Sequence, residues 1–180
     1  MSLFYTSLIT GLFLSIIGFL LLFPRSKFHS LVADFPRSRL LSVTFVSIAT
    51  IWFLWKHVAF LSEADFGEYK LLIGSIALAT ALLSFYFVPD FLAVRGLAMI
   101  LLLWSREVLD AAFLHASSNR LVLVSVIYLI ILAALYFGAW PYKMRGFIGW
   151  LYKETLRVRT LGSALSTLGL FITILSFTYS

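Results

Sequence analysis

The sequence predicts an all-α integral membrane protein: six transmembrane helices arranged as three hairpins, with amphipathic interfacial helices in the first and last connections. Three observations lead there. Hydrophobic residues make up 62% of the 180 and charged residues only 12%, against roughly 45–50% and about 25% in a soluble domain. A globule of this size exposes too much surface to hide such a composition. The apolar residues fall in continuous runs rather than in alternation, so helices rather than a barrel satisfy the backbone in lipid. Finally, basic residues gather in alternate connections. Soluble enzymes, disordered chains and nucleic-acid-binding domains are excluded on these grounds. The chain has no cysteine, which excludes disulfides, thiol catalysis and thiolate metal sites.

A helix needs about 20 residues to cross about 30 Å of hydrocarbon. The first predicted span, 3–23, lies in an uncharged run with no basic segment before it and no small-residue cleavage site before Pro24, so it reads as a helix and not as a signal peptide. The second, 39–58, is apolar to Trp55, beyond which Lys56 can snorkel. The third, 69–88, ends in the tight turn Val88-Pro89-Asp90. The fourth, 91–114, is interrupted by charge, which leaves open a five-span alternative with this segment flat or re-entrant. The fifth, 120–140, stops at Trp140-Pro141, and the sixth covers 158–178. The hairpins 1–58, 69–115 and 119–180 form one polytopic domain over 1–180.

Charge orients these spans. Connections one, three and five hold Arg25, Lys27, Arg37, Arg39, Arg95, Lys143, Arg145, Lys153, Arg157 and Arg159, ten basic residues against four on the other side. Basic connections stay in the cytoplasm, which places both termini outside. Eight of the ten, Arg25, Lys27, Arg37, Arg39, Lys143, Arg145, Arg157 and Arg159, are expected to meet lipid phosphates. The pI near 9.8 is thus read as topology and contact with anionic lipid, not as nucleic-acid binding.

The two long basic connections are alike. In the first, Phe28, Leu31, Val32 and Phe35 follow Pro24 at helical spacing; in the last, Met144, Phe147, Ile148 and Leu151 follow Pro141. Each stripe is expected to dip from the cytoplasmic surface toward the acyl chains. An Arg-x-Arg entry into the next span follows both. The outermost spans share a further pattern: Gly11, Ser15 and Gly18 are spaced as Gly162, Ser166 and Gly169 are. Small residues so placed let a helix approach closely in lipid, whether from this chain or from another.

With Pro24, Pro36 and Arg39 in one segment and Pro141, Arg157, Gly162 and Gly169 in the other, residues 8–55 and 127–175 each resemble the small two-helix inner-membrane hairpin proteins of unknown function found in many bacteria. The resemblance implies a bacterial inner-membrane location and no particular chemistry.

Charge enters the hydrocarbon at one place. Arg95 and Arg106 are eleven residues apart, about 17 Å along a helix, so Arg106, Glu107 and Asp110 fall within the outer half of the bilayer. Arg106 and Asp110 are spaced to pair, and Glu107 and Asp110 are expected to share a side. An intramembrane cluster of this kind serves an ion path or a contact with protein. His57 and His115 near the same surface fix neither distance nor facing, so no metal or haem is expected, and bound phospholipid is the only expected cofactor. Trp104 reads as packing. No hydrolase, metalloprotease or phosphate-loop motif occurs. The expectation is a non-enzymatic accessory or scaffolding subunit of a larger inner-membrane complex, partnered by other integral membrane subunits or by its own copies. The alternative is a small ion or proton transporter using the charged fourth helix.

Overall fold

The computed structural model describes residues 2–23, 32–61, 67–88, 90–113 and 119–179. Among them every regular element is helical. They are α1 (Leu3–Leu22), α2 (Arg39–Phe53, running on through a π turn, Leu54–Val58), α3 (Lys70–Phe87), α4 (Leu92–Ala112), α5 (Arg120–Ala139), α6 (Pro141–Tyr152) and α7 (Thr155–Ser176). Five stretches are long and apolar enough to cross a membrane: Leu3–Leu22, Arg39–Val58, Gly67–Phe87, Arg120–Ala139 and Thr155–Tyr179. The helix α4 has the length, but Arg95, Arg106, Glu107 and Asp110 set its composition apart. Pro24, Arg25, Lys27, Phe28 and Leu31 lie outside the described residues, and with them most of the first amphipathic stripe; residues 32–34 are helical.

The chain divides into two compact units. One comprises 1–33, 104–133 and 145–180, the other 34–103 and 134–144.

In the first unit α1 and α7 pack antiparallel. The glycines explain how closely. A Cβ built on Gly11 would stand 2.5 Å from Thr173 Oγ1 and 2.8 Å from the Gly169 carbonyl oxygen, and one on Gly169 would stand 2.7 Å from the Gly11 carbonyl. Gly18 faces Gly162 and Ser166 in the same way. No real side chain fits at such distances, so backbone lies on backbone. Around this pair Leu3, Leu14, Val108, Leu123, Ile127 and Ile172 form an apolar core, and Leu21, Leu151 and Val158 form a smaller one.

The helix α6 starts at Pro141, whose fixed φ and missing N–H suit a first helical position. Half of its apolar stripe turns inward: Ile148 and Leu151 are buried, and Leu151 packs with Leu21 and Val158. Protein thus covers half of a stripe expected to meet acyl chains. A single intervening residue, Trp140, joins α5 to α6, and only Lys153 and Glu154 separate α6 from α7. So short a joint brings the stripe onto its neighbours. Trp140, Tyr142 and Trp150 remain exposed.

In the second unit a short turn, Phe35–Arg37, with buried Pro36 leads into α2. Ser38 begins that helix by accepting a hydrogen bond from the Leu41 amide at 3.3 Å. The π turn is closed by the Ala59 amide donating to the Leu54 carbonyl at 2.8 Å. Gly96 of α4 sits so near α2 that a Cβ there would be 2.9 Å from Phe45 Cβ and 3.0 Å from the Val46 amide nitrogen. The passage from α3 to α4 is tight enough to hold Phe91 at φ 59°, a left-handed backbone that costs a non-glycine residue about 1–2 kcal/mol.

Candidate functional site

Helix α4 presents two unlike faces near its C-terminal end. On one, Arg106 Nε lies 3.7 Å from Asp110 Oδ2, and these side chains are 60% and 71% exposed. On the other, Glu107 is 7% exposed, between buried Ser105 and Val108. Glu107 and Asp110 therefore do not share a side, contrary to the spacing argument. Residues three apart on a helix are offset by about 60°, and the margin of the buried arc passes between them.

Trp104 fixes the rotation of α4. Its indole Nε1 donates to Thr10 Oγ1 of α1 at 3.0 Å. Thr10 in turn donates to the Thr6 carbonyl at 2.7 Å. With Trp104 held against α1, the neighbouring Val108 and Ala112 enter the apolar core, and Arg106 and Asp110 are left outside. Arg120, at the start of α5, donates from Nη1 to the Ala112 carbonyl at 3.0 Å and so ties off the last turn of α4. Several hydroxyls are buried in this unit, at Thr6, Ser7, Thr10, Ser105 and Ser176. The Thr6 and Ser176 hydroxyls donate to carbonyls of their own helices.

Ser15 and Ser166, read from the sequence as part of the packing stripes, lie between α1 and α7 with their hydroxyl oxygens buried and without a hydrogen-bond partner. Their value there is small size, not polarity.

The expected lipid-contacting residues differ in their surroundings. Arg25 and Lys27 lie outside the described residues. Arg145 and Arg159 are exposed, and Lys143 Nζ stands 5.6 Å from the Tyr142 ring. Arg157 is occupied in joining α6 to α7: Nη2 binds Glu154 Oε1 at 2.8 Å, Nη1 donates to the Trp150 carbonyl at 3.2 Å, and the guanidinium lies 4.6 Å from the Trp150 ring. Close by, burial pushes the Tyr152 phenol up from its ordinary pKa. Arg37 and Arg39 line a separate cavity of about 520 Å³ together with Ser42, Phe85 and Asp90, and Arg37 lies 5.7 Å from the Phe91 ring.

Spacing alone missed three positions: Gly96, Thr10 and Arg120. A lone glycine within a predicted span was the available signal for the first. The other two act through tertiary partners that no local pattern encodes. Among the described residues no group of three or more His, Asp or Glu is placed to hold a metal ion. The arrangement offers an exposed ion pair near one end of α4, a buried carboxyl behind it, and basic clusters at helix ends.

No protein-family model, no curated protein and no solved structure matches the chain.

Proposed function

We propose that the chain is a non-enzymatic accessory or scaffolding subunit of a larger complex in a bacterial inner membrane, crossing it six times with both termini outside. The exposed Arg106–Asp110 pair carries this reading. Arg106 lies fourteen residues beyond Leu92, about 21 Å along a helix that has about 30 Å of hydrocarbon to cross. A charged pair facing lipid at that depth costs at least a few kcal/mol. A neighbouring membrane subunit, or a second copy, would supply the polar cover that lipid does not.

The packing of α1 on α7 supports the six spans. The two are antiparallel, and Phe4 and Phe177 have ring centroids 5.8 Å apart, so the chain starts and finishes at one end of this pair. An odd number of crossings would separate those ends. Helix α4 is the remaining described helix of sufficient length, because α6, with 12 residues, reaches only about 18 Å.

Gentle detergent extraction followed by a native gel and mass spectrometry of the intact assembly tests the proposal. Arg106→Ala is expected to strip away co-purifying subunits, whereas Arg25→Ala leaves them bound. Equal loss in both, or a monomer in every preparation, refutes it. The burial of Glu107 favours a second reading, a proton or cation path. In liposomes that reading requires a flux abolished by Glu107→Gln in protein that still assembles.

A further inference from the structure

We infer that the second unit holds one membrane glycerophospholipid in a groove between α2, α3 and α4, its phosphate at Arg37 and Arg39. The inference rests on the membrane-embedded reading above, but not on the existence of a partner subunit.

The groove is a cavity of about 370 Å³ with almost wholly apolar walls, formed by Ala49 and Phe53 of α2, Ala77 and Ala81 of α3, and Met99 and Leu103 of α4. The hydroxyls along it are already used. Thr50 donates to the Val46 carbonyl at 2.8 Å, Thr80 to Ile76 at 2.8 Å and Ser84 to Thr80 at 2.7 Å. The walls therefore present carbon, which suits a hydrocarbon chain and not a polar solute. No residue of α3 is buried, so this helix stands off from its neighbours along the groove instead of closing on them. Apolar space between helices fills with apolar matter, because interiors pack densely.

Two features select a lipid chain over a partner helix. The first is shape. Near Gly74 helices α2 and α3 meet, a Cβ there lying 3.7 Å from Val58 and 3.8 Å from Leu54. Beyond Phe53 the two helices are thus in contact, and a helix about 10 Å wide cannot pass between them there. Along α4 it extends from Leu92 to Leu103, about 16 Å, which matches one leaflet of a hydrocarbon core about 30 Å thick.

The second is charge. At the opposite end Leu92 also lines the cavity that holds Arg37, Arg39 and Asp90. Leu92 therefore stands between the greasy slot and a cavity lined by two guanidiniums and one carboxylate. Guanidinium is the side chain best shaped for phosphate oxygens. The net single positive charge complements one phosphodiester, and Asp90 can accept a hydrogen bond from a headgroup hydroxyl or ammonium. This order, charge at the membrane surface and hydrocarbon within, is that of a phospholipid in the cytoplasmic leaflet.

Native mass spectrometry of the whole chain, extracted in mild detergent, tests the assignment. One phospholipid-mass adduct per chain is expected, identified by fragmentation. Arg37→Gln with Arg39→Gln should lower its occupancy roughly tenfold, as the loss of charge-assisted hydrogen bonds implies, while Lys143→Gln with Arg145→Gln leaves it unchanged. Ala81→Phe, which fills the groove without touching the charges, should also remove the adduct, and an unchanged circular dichroism spectrum shows that the helices persist. An adduct surviving Ala81→Phe, or lost equally with the Lys143 and Arg145 changes, overturns the site. Absence of co-purifying subunits bears only on the scaffolding proposal.

Discussion

At Gly18 a single methyl group decides how close two helices come. An alanine Cβ there would fall on the Ser166 amide and lie 2.7 Å from the Gly162 carbonyl, and neither backbone atom can rotate away. Gly18→Ala is therefore expected to cost about 1–3 kcal/mol, the usual penalty for overpacking, read as a lower melting temperature in detergent. Gly149, with nothing within 4 Å of its built Cβ, is the comparison. Gly149→Ala should be neutral or stabilise α6 by up to about 1 kcal/mol, because glycine is a poor helix former. Equal destabilisation by both would remove the close approach as the explanation. The small-residue stripes were visible in the sequence as matching spacings. That each stripe is the other's partner was not, because spacing describes one surface at a time.

Helices were far more legible than their orientations. The helices expected at 3–23, 69–88, 91–114 and 120–140 correspond to Leu3–Leu22, Lys70–Phe87, Leu92–Ala112 and Arg120–Ala139, the third of these standing outside the five stretches long and apolar enough to cross a membrane, since charge and proline mark the ends of apolar runs. Facing depends on tertiary partners. The Trp104–Thr10 hydrogen bond turns Glu107 inward and Asp110 outward, and spacing within α4 contains no trace of it. Arg157 makes the same point. Its position after a basic connection points to a lipid phosphate, and spacing gives no sign that it also holds Glu154, the Trp150 carbonyl and the Trp150 ring. Removing it should loosen the α6–α7 joint, whereas removing exposed Arg159 should not. Arg157→Ala is expected to cost about 1 kcal/mol, the scale of a partly exposed ion pair with a cation–π contact. Faster hydrogen exchange confined to residues 150–157 would report it, and no difference from Arg159→Ala would deny Arg157 a part in the joint.

For the whole molecule, the number of crossings is a question of parity, and cysteine labelling answers it. The native chain has no cysteine, so each introduced thiol reports alone to a membrane-impermeant maleimide. Six and five crossings agree up to α3 and differ afterwards. If α4 crosses, Asn119 emerges outside, α5 returns, and Lys153 lies in the cytoplasm beside the other basic connections. If α4 lies flat on the inner surface, Asn119 stays inside, and α5 then carries Lys153 out, stranding five basic residues, Lys143, Arg145, Lys153, Arg157 and Arg159, on the wrong side for the charge rule. Flat packing would also place the two ends of the chain on opposite faces, whereas Phe4 and Phe177 touch rings at 5.8 Å. The expected pattern is Asn119→Cys labelled from outside and Lys153→Cys only after permeabilisation. The reversed pattern would mean five crossings. It would leave α4 at the surface, where the Arg106–Asp110 pair is hydrated and needs no partner to cover it.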